Sequence, residues 1–225
     1  MPYRFTKMNK IDRRRKAVLI VECDIVKLER QDLALGDQLY AAVKLACPRN
    51  LVDLVRADTK ANLLKQLGAI AETSQRYRSI VIIGHSNRDG LRLTSDAFVE
   101  WDAVANWFSP FDPHRMILIA CEAGRWLPCA ALFKGISGLK EIYGSPVPAY
   151  KNQALFVLGL VLHALKAEKI DKGLIQLMQT GNLLITKGLM FRNTRHEYER
   201  GGEVEWALWG AAEPLIDQLM SRLRG

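Results

Sequence analysis

The sequence lacks any CxxC pair and any Cys/His cluster at zinc-ligand spacing; its four cysteines, Cys23, Cys47, Cys121 and Cys129, stand apart. Neither a metal knuckle nor a disulfide framework is indicated, and no metal or cofactor is expected. A secretory signal is missing too. The first apolar run, residues 17–21, is too short for one and runs straight into Glu22 and Asp24. The longest apolar stretch, residues 154–165, falls well short of the ~20 residues of a spanning helix and reads as a buried helix. A reducing cytoplasm with free thiols, and no membrane contact, is the expectation. Low-complexity tracts and repeats at solenoid spacing are absent as well.

What is present is an ordinary globular balance. The chain has 225 residues, 49% of them hydrophobic, enough for one sizeable core and too few for two ordinary domains. The net charge of +8 is unevenly placed. Residues 1–16 carry seven Lys or Arg against Asp12, a local balance of +6 that leaves only +2 for the rest. The chain divides into a basic N-terminal arm, 1–16, and a single domain, 17–225. The body has no basic groove, so nucleic acid is expected to bind through the arm or not at all.

Apolar runs alternate with helical patterns, which predicts an α/β sandwich with a mostly parallel sheet between helices. Strands are expected at 17–24, 51–56, 79–84, 116–120 and 139–143, with a late one at 204–209. The first is near-continuously apolar, as in strands buried on both faces. Helices are expected at 33–46, after Thr59 as a cap with Leu63, Leu64, Leu67, Ile70 and Ala71 on one face, and after Pro128 to about 134. Further helices fit 152–166, 172–190 and 214–223. Phe98, Trp101, Val104 and Phe108 recur at helical spacing until Pro110, and residues 91–94 suggest a small hairpin. The expected sheet order is second, first, third, fourth, with at least one strand more.

Two expected strands end in residues capable of covalent catalysis. His85 follows the third and Cys121 the fourth, and their separation of 36 positions suffices for one helical crossover joining adjacent strands. Ligands and reactive groups gather at the carboxyl ends of such sheets. A thiolate is a good nucleophile, a neighbouring imidazole supplies the activation, and the backbone N–H groups of Ser86 and Cys121 are suited to an oxyanion. Alone, such a Cys is a small hydrophobe and such a His is polar surface; together, each closing a strand near a Gly, they point to chemistry. His114 stands before the Cys strand, His163 in an apolar helix and His196 in the polar stretch 192–200, all poorer bases. Cys129, Trp101, Trp107 and Trp126 read as packing. Asp89 and Glu122 are the acidic residues nearest the pair, which favours a basic substrate residue before the cut.

Four segments in order carry a resemblance: Ile82-Ile83-Gly84-His85 with Asp89-Gly90-Leu91, then Ile117-Leu118-Ile119-Ala120-Cys121-Glu122-Ala123-Gly124, Gly138 to Pro148, and Glu205-Trp206-Ala207-Leu208-Trp209-Gly210. They resemble the histidine, nucleophile and following strands of CHAT-family peptidases, a caspase-like group that also resembles separases and metacaspases. The resemblance spans residues 79–210. It implies a caspase-like three-layer sandwich and a cysteine endopeptidase with His85 and Cys121 as its dyad, acting on a protein substrate. The sequence departs from the family at Ser86, where Gly is usual, and at Ile119, where a polar or acidic residue often lines the substrate pocket. Gly124 also lies one place late for the Q-A-C-x-G string of caspases, so aspartate specificity is not implied.

Two other functions stay open at this point. A non-catalytic caspase-like scaffold would engage a regulatory protein partner instead. Gly84-His85-Ser86 also opens a G-x-S-x-G elbow with Ser86 as the nucleophile of a serine hydrolase, although the fifth position is Arg88.

Overall fold

The structure is a computed structural model. It describes residues 18–23, 35–46, 52–57, 59–73, 77–93, 98–144, 191–195 and 198–199. The basic arm, Cys47, His163, His196 and the elements expected within 152–190 and 204–223 lie outside the described residues.

In chain order the elements are β1 (Val18–Cys23), α1 (Leu35–Ala46), β2 (Val52–Ala57), α2 (Lys60–Ala71), β3 (Ser79–Ile83), β4 (His85–Ser86), β5 (Gly90–Arg92), β6 (Phe98–Glu100), α3 (Trp101–Phe108), β7 (Arg115–Ile119), α4 (Trp126–Gly135), β8 (Glu141–Gly144) and β9 (Phe191–Thr194). The main sheet runs β2-β1-β3-β7-β8-β9. All its pairings are parallel except β8 with β9. The expected order of the first four strands is the observed one. β4, β5 and β6 form a separate antiparallel sheet.

Burial on both faces explains the apolar strands. Every residue of β1 and β3 is buried. Leu19, Val21, Ile80, Ile82, Met116 and Leu118 share one core with Leu63 and Leu67 of α2, Val104 and Phe108 of α3, and Cys129 and Leu132 of α4. Val18, Ile20 and Val81 alternate with these and point to the other face, at 0% exposure. There α1 packs on β1, and its Gly36 amide donates to the buried Glu22 carboxylate at 2.9 Å. A Cβ on Gly36 would lie 2.5 Å from that carboxylate, so a larger residue there would have to displace the Glu22 side chain. Arg56 closes the corner through Nε, 3.1 Å from Glu22.

Local signals hold at α2. Thr59 is its cap, with Oγ1 accepting the Asn62 amide at 3.2 Å. The apolar face expected there is narrower than the spacing predicts. Leu63 and Leu67 are buried, but Leu64 is 39% exposed and Ala71 faces out. The helical register expected from Phe98 also starts late. Phe98 lies in β6, half-exposed, and α3 begins at Trp101. The reason is pairing: Phe98 sits opposite Arg92 in an antiparallel ladder that tertiary contact supplies.

β9 falls at the start of the polar stretch 192–200, where the sequence pattern predicts no strand. It pairs antiparallel to β8, with Gly144 opposite Phe191 and Glu141 opposite Thr194. Arg195 then anchors the far end of α4. Its Nε donates to the Leu139 carbonyl at 2.6 Å, and one terminal nitrogen reaches the carbonyls of Phe133 and Ile136, both at 2.5 Å. A cation on carbonyls left open at a helix end opposes the helix dipole and supplies missing donors. The same guanidinium lies over the Phe133 ring, 5.6 Å from its centroid. Helix α4 leads out of the segment that holds Cys121.

Candidate active site

Strands β3 and β7 are neighbours and parallel, with Ile83 opposite Ile119. The ladder continues one step further, where the Gly84 amide donates to the Ile119 carbonyl at 3.2 Å. Counting on from that register, His85 and Cys121 leave the sheet at equivalent positions on adjacent strands, both at the carboxyl edge. His85 is exposed and Cys121 partly so. The backbone thus brings this pair together.

The His segment turns away at once into the small sheet. β4 pairs with β5, His85 opposite Arg92 and Ser86 opposite Leu91. Asn87 builds the turn: its Oδ1 accepts the amides of Asp89 and Gly90, each at 2.9 Å, and its own N–H donates to the Gly90 carbonyl at 3.0 Å. This is the local side-chain bonding that makes Asn a turn residue. The Trp101 indole donates to the Asn87 carbonyl at 3.1 Å and ties the turn to α3. Trp101 is 3% exposed, a packing residue as expected. Asp89 is exposed at the turn and forms an ion pair with Arg88, 3.6 Å.

The Cys segment is a tight turn between β7 and α4. Glu122, directly after Cys121, has φ +58°, a left-handed conformation that costs a residue with a Cβ roughly 1 kcal/mol or more. Strain of this kind persists only where its surroundings hold it. Here the Glu122 carbonyl accepts the Arg125 amide at 3.1 Å, and its carboxylate lies 3.5 Å from the buried Arg125 Nε. Gly144, at the end of β8, presses on the same turn. A Cβ there would stand 2.9 Å from the Gly124 nitrogen and 3.1 Å from the Ala123 carbonyl carbon. Cys129 is buried, its thiol directed at the Ala123 carbonyl at 3.8 Å, and belongs to the core.

Sequence reasoning missed one feature of Ser86. Its N–H alone was expected to act, but the side chain is engaged too: Ser86 is 8% exposed and its hydroxyl donates to the Cys121 carbonyl. A Ser directly before the Asn87–Gly90 turn carries no local sign of so distant a partner. Ser86 is also followed by a β-turn and β5, not by the helix of a nucleophile elbow, which removes the geometric basis of the serine hydrolase. His114 lies before β7, at the opposite end of the sheet from Cys121. Burial, and the cations Lys140 and Arg78, push its pKa below the ordinary value.

Cys23, Cys121 and Cys129 are thiols, not disulfides. Among the described residues, no group of three or more His, Cys, Asp or Glu is placed to hold a metal ion. Among the same residues, no helix is long and apolar enough to cross a membrane.

No protein-family model matches the sequence, and no curated protein does either. Among solved structures, the X-ray structure of an inactive zymogen C11 protease from Parabacteroides distasonis is similar. The match has a TM-score of 0.56 at 16% identity, and covers 82% of this chain and 63% of that one. The chain therefore spans less than two thirds of that protein's length. At such identity the likeness speaks for the fold. This chain has an α/β sandwich with a mostly parallel central sheet, similar in architecture to that C11 protease, with His85 and Cys121 at the carboxyl edge of its central strands.

Proposed function

We propose that this protein is a cysteine endopeptidase working through Cys121 and His85, within the caspase-like peptidases, its motifs resembling those of the CHAT group. The observation that carries the proposal is the β3–β7 register, which sends both residues off one sheet edge at equivalent positions. The likeness of the fold to a protease supports it.

In the proposed reaction the Cys121 thiolate attacks the scissile carbonyl carbon and forms a C–S bond. The N–H groups of Ser86 and Cys121 receive the oxyanion. As the C–N bond breaks, His85 gives a proton to the departing amine. Water then attacks the thioester while His85 takes its proton, and the acid leaves with the thiol restored. Asp89 and Glu122 would favour a basic residue before the cut. Each already faces an Arg of its own chain, so such a residue would exchange with Arg88 or Arg125.

The test is a thiol-directed activity probe and a peptide library, applied to wild type, Cys121→Ala and His85→Ala. Labelling and cleavage are expected in wild type, none with Cys121→Ala, and a loss of several orders of magnitude with His85→Ala. Full cleavage by Cys121→Ala would end the peptidase reading. A wild type that neither cleaves nor labels would favour the scaffold. A preference for acidic residues before the cut would reject the roles of Asp89 and Glu122.

A further inference from the structure

We infer that Ser86 is a positioning residue whose hydroxyl holds the His85 segment to the Cys121 segment beyond the point where the sheet itself can do so. The inference rests on the dyad proposed above and goes beyond it, since the backbone N–H was the only part of Ser86 that the dyad required.

The residues on either side of His85 both bond to the nucleophile's strand. Before it, the Gly84 amide donates to the Ile119 carbonyl at 3.2 Å, the last rung of the β3–β7 ladder. After it, the Ser86 hydroxyl donates to the Cys121 carbonyl. His85 is thus bracketed over Ala120 and Cys121. A main-chain rung cannot serve at the second position, because β4 has already left the main sheet to pair with β5. A short hydroxyl side chain can reach where the turned backbone cannot. Glycine, the usual residue of the resembling family at this place, has no group for the bond.

The accepting carbonyl matters as much as the donor. The peptide unit is planar, so holding the Cys121 carbonyl fixes the plane that enters Glu122, the residue at φ +58°. The clamp therefore acts on two things at once: the orientation of the turn that carries the thiol, and the separation of thiol and imidazole. With Ser86 8% exposed, water competes little for the bond.

The experiment needs no substrate. The rate of Cys121 alkylation by iodoacetamide is followed by mass spectrometry of the Cys121 peptide, at about pH 6.5, where an unassisted thiol is mostly protonated, and at about pH 9.5, where it is mostly thiolate. Ser86→Thr keeps a hydroxyl, and Ser86→Val has the same shape without one. Thermal melts confirm that the pair are equally folded. Ser86→Val is expected to slow alkylation about tenfold at the lower pH and leave it unchanged at the higher, whereas Ser86→Thr stays near wild type, because only imidazole assistance depends on pH in this way. Equal rates for Thr and Val would overturn the clamp. So would a loss of equal size at both pH values, which reports access to the thiol and not its pairing with His85. His85→Ala separates this from failure of the dyad. If His85→Ala reacts like wild type at the lower pH, the dyad itself falls and the clamp with it; if His85→Ala is slow and Ser86→Val is not, only the clamp falls.

Discussion

Strand β7 has polar chemistry at both ends, and the two ends are built on opposite plans. At its amino end, Arg115 gives Nε and a terminal nitrogen to one Glu141 oxygen, each at 2.9 Å, and the Tyr143 hydroxyl reaches the same oxygen at 3.1 Å. Both charged side chains are nearly buried, at 9% and 14% exposure, so each charge is answered by the other. Past the carboxyl end, Cys121 is partly exposed, the next residue is strained, and the Cys121 carbonyl accepts the Ser86 hydroxyl. A buried charge must be matched to be tolerated, because an unmatched one costs several kcal/mol. A reacting group needs the reverse: an open face, and neighbours that fix where it is without consuming it. The β1–β2 corner, with Glu22 between Gly36 and Arg56, follows the first plan even though it lies at the carboxyl edge.

If that division is right, the two ends of β7 should fail differently when cut. Cys121→Ala should abolish peptide turnover while moving the urea unfolding free energy by less than about 1 kcal/mol, as for a half-buried truncation. Glu141→Ala should do the opposite. It strands the Arg115 charge and should cost about 3 kcal/mol in urea unfolding, with Cys121 alkylation unchanged in the folded protein. Replacing both partners by apolar residues, Arg115→Met with Glu141→Leu, should regain most of that loss. An Arg115 end that proves catalytic, or a Cys121 that proves chiefly structural, would erase the contrast.

Gly144→Ala joins the two categories, because its Cβ would strike the backbone of the Cys121 turn at 2.9 to 3.1 Å. Backbone gives way less easily than a side-chain tip, so a cost of about 1–3 kcal/mol is expected, together with slower alkylation of Cys121. A stability loss that leaves alkylation at its original rate would show the turn to be insulated from β8.

The smallest effect concerns His114. Its folded pKa lies below the ordinary value of 6.5, through burial first and then Lys140 and Arg78, with Asp112 opposing. The unfolded chain binds this proton more readily, so the stability contribution is present above about pH 6.5 and lost as pH falls through the interval beneath it. Urea midpoints between about pH 5 and pH 7.5 should fall slightly more on acidification in wild type than in His114→Gln. The rate of Cys121 alkylation at a fixed pH should be indifferent to the His114 substitution.

Some of this was readable in the residues before any contact was known. The runs at β1, β3 and β7 are mostly apolar, with Glu22, Ser79 and Arg115 near their ends, because both faces are covered, and a run of that kind announces a central strand. Thr59 caps α2 through an amide three residues on, a bond contained within the local chain. His85 and Cys121 stand out because each closes such a strand, and the crossover length between them allows adjacency. Other features were decided by parts of the chain that meet only in the fold. Phe98 left a helical pattern because Arg92 offered a ladder. Residues 191–194 became a strand because β8 had an open edge to fill. Glu22 is a buried carboxylate because Gly36 and Arg56 converge on it. Ser86 turned from a departure in a motif into a link between two segments because the Cys121 carbonyl, 35 residues away, lies within its reach. Periodicity and caps record interactions within a few residues. The edge where His85 and Cys121 leave adjacent strands depends on closing long loops, which no local pattern encodes.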